Sequence, residues 1–91
     1  MSQLAANPCK VTSADSLPVT VFTGSAKIRH IEFAGYAAAT DNAKVTDING
    51  VDIAILHGNA ALETERTAYI GYVTGLKVTI CTAGEVTIYF E

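Results

Sequence analysis

The sequence predicts an all-β fold, a small antiparallel β-barrel or β-sandwich of six to seven short strands with an extended N-terminal arm, and three observations predict it. Val, Ile and Thr supply 27 of the 91 residues, a β-branched share that favours strands over helices. Turn signals recur at spacings of roughly 8 to 14 residues, the rhythm of a small sandwich or barrel. Two of them, Asn49-Gly50 and Thr82-Ala83-Gly84, separate runs that sort into one apolar and one polar face. The length suits a single core: residues 1–16 read as an arm and residues 17–91 as one β domain.

The arm is polar and broken by Pro8, which predicts that it stays off the core and serves as a docking or clasping segment through Leu4, Pro8, Cys9 and Val11. From Leu17 the pattern changes. Leu17, Val19 and Val21 alternate with Pro18, Thr20 and Phe22 before Thr23-Gly24-Ser25, which predicts a first strand and a turn. Pro18 donates no ladder hydrogen bond and belongs at the strand's start or on an edge. Ala26 to Ala34 is the second strand, with Ile28, His30 and Glu32 on one face and Lys27, Arg29, Ile31 and Phe33 on the other. Neither face is cleanly apolar. Such a strand either crosses from core to surface at a bulge or is covered on both sides, and the second case implies a neighbouring subunit.

After a small, polar loop over Tyr36 to Asn42, residues 43–56 form a hairpin around Asn49-Gly50. A two-residue turn there sets Asp47 opposite Asp52, and facing like charges destabilise a ladder. A three-residue loop, Ile48-Asn49-Gly50 with Gly50 left-handed, pairs Val45 with Ile53 and Thr46 with Asp52, and is preferred. By the same logic Thr82-Ala83-Gly84 pairs Ile80 with Val86, Val78 with Ile88 and Leu76 with Phe90, with Gly84 left-handed. Between the hairpins, Asn59 can cap a short helical turn through Ala60 to Leu62, or the segment is an excursion loop. Thr67 to Val73 reads as a strand with Tyr69 and Tyr72 on opposite faces.

Composition narrows the partners. Six Lys and Arg against nine Asp and Glu give a net charge of −3, so there is no basic footprint for nucleic acid. No apolar run is long enough for a helical membrane span, and the first 16 residues lack the charged and apolar regions of a secretory signal. Cys9 and Cys81 stand far apart without the close pairing of a metal ribbon or redox motif, and are expected to be free thiols; a bridge would require the arm to fold back onto the last hairpin.

No motif for catalysis appears. His30-Ile31-Glu32 matches half of a zinc deaminase signature, but the following Pro-Cys-x-x-Cys is missing. His57 precedes Gly58 without a local partner. Asp47, Asn49 and Asp52 fail the EF-hand spacing, Gly24-Ser25-Ala26-Lys27 fails the phosphate-loop pattern, and no Gly-x-Ser-x-Gly occurs. The aromatic residues are not interleaved with Lys and Arg as in single-strand nucleic-acid platforms. The chain is therefore expected to be non-enzymatic and to need no cofactor or metal.

The segment Gly75 to Glu91, a Gly-Leu-x-Val strand, a tight Gly turn and a Val-x-Ile-Tyr strand, resembles the ending of small all-β virion proteins of tailed bacteriophages. In those an Asn-Gly or Asp-Gly hairpin lies in the middle, and the similarity of pattern runs over residues 26–91. The resemblance implies a virion structural protein, such as a capsid decoration or cement protein, that oligomerises, often as a trimer, and contacts other virion proteins such as the major capsid protein. It brings no catalytic residues.

The residues agree with that expectation. A mean hydropathy of +0.30 and strands with large groups on both faces suit a subunit that buries surface against copies of itself. Phe22, Arg29, His30, Glu32, Phe33, Tyr69 and Tyr72 are the expected interface, and Gly50 and Gly84 the structural turn glycines. The alternative is a small phage-encoded inhibitor or ligand-binding oligomer acting on a host component, with a pocket lined by Arg29, His30, Glu32 or the tyrosines. A carbohydrate-binding module is disfavoured because it calls for exposed Trp, of which there is none.

Overall fold

The computed structural model describes residues 8–15 and 17–91. Among them are seven strands and no helix: β1 (Cys9–Thr12), β2 (Val19–Ala34), β3 (Asn42–Thr46), β4 (Asp52–His57), β5 (Glu65–Arg66), β6 (Gly71–Cys81) and β7 (Glu85–Phe90). All pairings are antiparallel, and the sheet runs β1-β7-β2-β6-β3-β4, with β5 attached to β2. The all-β antiparallel expectation holds. The barrel is not closed, because β1 and β4 end the path without pairing to each other.

β2 organises the molecule. Ile28 pairs with both Gly71 and Phe90, and Glu32 with both Thr87 and Arg66, so β7 lies on one edge of β2 while β5 and β6 share the other. The two strands expected on either side of Thr23-Gly24-Ser25 are therefore one strand of 16 residues. The turn composition serves a bulge instead: register shifts fall between Thr20 and Phe22 and between Phe22 and Ser25. Pro18 sits just ahead of Val19, outside the ladder, as its missing donor requires.

A further shift between Ile28 and His30 resolves the mixed faces of this strand. It turns Ile31 and Phe33 inward alongside Ile28, and all three are fully buried. Their burial needs no neighbouring subunit, and Phe33, expected at an interface, is instead a core residue stacked on Tyr36 with ring centroids 4.7 Å apart.

Two further expectations are corrected. Cys9 and Val11, assigned to a docking arm, are fully buried, because β1 adds to β7 with Cys9 opposite Ile88 and Val11 opposite Val86. A short strand with apolar residues at alternate positions satisfies its backbone in the sheet and its side chains in the core. Pro8 is half-buried beside it, and Leu4 lies outside the described residues. The second correction is the last hairpin. β6 and β7 do not pair; each bonds to a different edge of β2, and the Thr82-Ala83-Gly84 link crosses between them. Gly84 is left-handed all the same, at φ 72°.

The middle hairpin combines both registers considered. Thr46 faces Asp52 and the Asp47 N–H donates to the Val51 carbonyl at 2.9 Å, as the three-residue loop demands, with Gly50 at φ 85°. A bulge then moves Val45 opposite Ala54 and Ala43 opposite Leu56. The like charges stay apart, and Lys44 takes Asp52 as its ion-pair partner at 3.2 Å.

One cluster forms the core, uniting Val11, Ile88 and Val86 from one side of β2 with Val45, Val78 and Leu76 from the other. Such a cluster requires the sheet to coil over itself.

Candidate functional site

Residues 58–70 connect β4 to β6 and place the expected tyrosines. Asn59 Oδ1 accepts from the Glu63 N–H at 3.1 Å, closing a single turn rather than a helix. The Tyr36 hydroxyl donates to the Glu63 carbonyl and accepts from the Asn59 N–H, pinning the turn to the core. Thr67 then extends β2's edge past β5: its N–H donates to the Ile31 carbonyl and its hydroxyl accepts from the Ile31 N–H, both at 3.0 Å. The strand expected from Thr67 begins only at Gly71, whose φ of 93° interrupts the alternation. Ile70 and Val73 consequently pack on the core while Tyr69 and Tyr72 are 56% and 77% exposed.

These tyrosines stand with Lys27 and Glu91. Lys27 Nζ lies 5.4 Å from the Tyr72 ring centroid and 3.5 Å from the Glu91 carboxylate. Hydrogen bonding to Tyr69 and then the Glu91 charge raise the Lys27 pKa, and hydrogen bonding to Tyr69 followed by the Lys27 charge lower that of Glu91. Arg29 is exposed nearby. His30 and Glu32 form a separate group: their side chains meet at 3.3 Å, His30 stacks on Tyr89, and Arg66 approaches Glu32 at 3.6 Å. Phe22 is half-buried against the core in an edge-to-face contact with Phe90. Of the seven expected interface residues, Arg29, Tyr69 and Tyr72 are exposed, His30, Glu32 and Phe22 are partly covered, and Phe33 is inaccessible.

No protein family matches this chain, and neither curated proteins nor solved structures give a match.

The chemistry of the surface is thus read from its own groups. No group of three or more His, Cys, Asp or Glu side chains able to hold a metal occurs among the described residues. His57 is exposed at the end of β4, and its strand partner is Asn42. Cys9 and Cys81 are free and buried, and burial pushes both thiols up to about 11, with the charges of Asp15, Asp41 and Glu85 adding to the rise at Cys81. Neither is an activated nucleophile.

Two features of the surface were not anticipated. Val51 and Ile55 on the middle hairpin are 63% and 48% exposed. The signal was the run Ile53-Ala54-Ile55-Leu56, apolar on both faces of an edge strand. The second is a shallow concavity of about 420 Å³ between the hairpin tip and the start of β6. Asp47 and Asn49 lack calcium-loop spacing in the sequence, and the Thr23-Gly24-Ser25 composition that reads as a turn is the bulge that brings Ser25 beside Thr74.

Proposed function

We propose that this chain is a non-enzymatic structural protein acting through protein–protein contacts, a homo-oligomeric capsid decoration protein or other virion-associated component. The observation that supports it is the pair of open sheet ends. β4 pairs only with β3 and β1 only with β7 among the described residues. Edge strands usually carry Lys, Pro or a covering segment that prevents pairing with another chain. β4 has neither Lys nor Pro and presents the exposed Ile55 beside the exposed Val51, whereas β1 carries Lys10 and follows Pro8.

Because the two ends are different strands, joining β4 of one copy to β1 of the next is a heterologous contact, which makes a ring where its rotation closes and an open filament where it does not. A trimer, which the resemblance to phage virion proteins favours, is such a ring. Other virion proteins then meet the faces that the ring leaves exposed, and Tyr69 and Tyr72 are the largest apolar groups available there.

Native mass spectrometry tests the reading. The parent is expected as a closed trimer and Ile55→Lys, whose side chain points to solvent and leaves the monomer fold intact, as a smaller species. A parent that stays monomeric at every concentration overturns the oligomer. Absence of the chain from purified virions overturns the virion role separately.

A further inference from the structure

The concavity between the hairpin tip and β6 brings polar side chains together beside an aromatic ring. Its walls are Tyr72, Ser25, Thr74, Asp47 and Asn49, and Ile53 and Val73 contribute apolar surface. Its frame is built. The Ile48 N–H donates to the Thr74 carbonyl at 3.2 Å, and Gly75 has no side chain because Ile48 occupies that space. Asp47 Oδ1 is held by the N–H groups of Asn49 and Val51 at 2.8 and 2.9 Å.

What the frame leaves over is polar and unused. Among the described residues, Asp47 Oδ2, the Asn49 side-chain amide and the Ser25 and Thr74 hydroxyls make no hydrogen bond within the molecule. Two other polar side chains, by contrast, are used within the fold: Asp41 takes the N–H groups of Ala37 and Ala38 and the Thr82 hydroxyl, and Asn59 bonds Glu63 and Glu65. Donors and acceptors are therefore gathered beside a tyrosine ring that is 77% exposed.

We infer that this concavity binds a neutral pyranose sugar, with the ring of Tyr72 as its platform and the carboxylate of Asp47, the amide of Asn49 and the hydroxyls of Ser25 and Thr74 meeting its hydroxyl groups. The volume falls within the range of small-molecule sites, roughly 300–1,000 Å³. Charge selects the class. Asp47 opposes an anion and no basic residue lines the walls, while Lys27, 5.4 Å from the Tyr72 ring, opposes a cation at that ring. A neutral polyol meets neither obstacle. Its C–H edges suit the electron-rich face of an aromatic ring, and its paired hydroxyls suit groups that both donate and accept. The lack of Trp weighed against a carbohydrate role, and an exposed Tyr supplies the same apolar platform.

Titration of the 15N-labelled full chain with D-glucose, D-galactose, D-mannose and N-acetyl-D-glucosamine tests the inference. At least one sugar is expected to shift the amide signals of Ser25, Asn49, Val73 and Thr74 saturably in the millimolar range. Tyr72→Ala and Asp47→Asn, both outside the core, are each expected to weaken that binding about tenfold, the effect of roughly 1.4 kcal/mol. Choline and inorganic phosphate serve as charged controls. The inference is overturned if none of the four sugars gives saturable shifts at these residues, if either control binds there more tightly than every sugar, or if both variants bind as the parent does. Binding is read on the monomeric domain as well, using Ile55→Lys, so its failure is distinct from failure of the oligomer.

Discussion

Gly84 shows how much a single hydrogen in place of a methyl group can decide. A Cβ there would collide with the Ala34 carbonyl and lie 2.6 Å from the Tyr36 nitrogen, at a backbone φ of 72° that side-chain-bearing residues rarely adopt. Gly84→Ala is expected to cost about 3 kcal/mol or more, since strain and overpacking act together; urea unfolding measures it, and an unchanged midpoint rejects the crowding. The left-handed turn was legible from Thr82-Ala83-Gly84 because only glycine relieves that conformation cheaply. Its neighbours, Ala34 and Tyr36, were not, since they come from the far end of another strand.

The two thiols make a second residue-scale expectation. Burial raises both pKa values from 9.0 to about 11, so the folded state holds protons that the unfolded state has released between those values. Stability is then complete below pH 9 and falls as pH rises toward 11. Thermal melts of the parent and a Cys9→Ala, Cys81→Ala double variant across this window should diverge, the variant losing less. Thiol reagents at neutral pH should label neither cysteine in the folded chain and both after denaturation.

At the scale of the element, periodicity revealed strands and hid their partners. Alternation identified the apolar positions of β6 and β7, and Val78, Leu76, Val86 and Ile88 are indeed core. It could not show that these strands flank β2 instead of each other, because a face sorted against one neighbour is equally sorted against another. Bulges are the other blind spot. Each adds one residue to one strand, and the shift near Ile28 reverses which side His30 and Ile31 occupy.

β1 was missed because four residues are too few to establish a period. Its contribution can be measured. Val11→Ala removes two buried methyl groups and should cost about 2 kcal/mol, whereas a docking arm predicts no loss of stability at all. Phe33→Ala near the C-terminal end of β2 should cost more, about 3–5 kcal/mol.

For the whole molecule, the surplus of apolar residues that suggested a partner is mostly spent inside. Ile28, Ile31 and Phe33 enter the core with Cys9 and Val11, and the surplus that remains outside is narrower: Tyr69, Tyr72, Val51, Ile55 and Leu62. A ring built by pairing β4 to β1 makes a specific forecast. Ile55→Lys blocks one end of each chain and leaves the other able to join, so mixing it with the parent should yield short open assemblies. Native mass spectra showing only closed rings and free variant would reject the end-to-end contact. Of the candidate surface, the tyrosines were legible as large groups without a consistent face. The open ends and the concavity were not, because both arise from which strands become neighbours.

β7 is hydrogen-bonded to both β1 and β2, although β1 and β7 stand at opposite ends of the described strand order. During synthesis β1 has nothing to bond to, and the second half of β2 lacks a neighbour on one edge, until Glu85 to Phe90 has left the ribosome. The sequence-distant pairing of β1 with β7 places the domain among slow-closing topologies. A chain stalled or cut before β7 exposes Ile31, Phe33, Cys9 and Val11 at once.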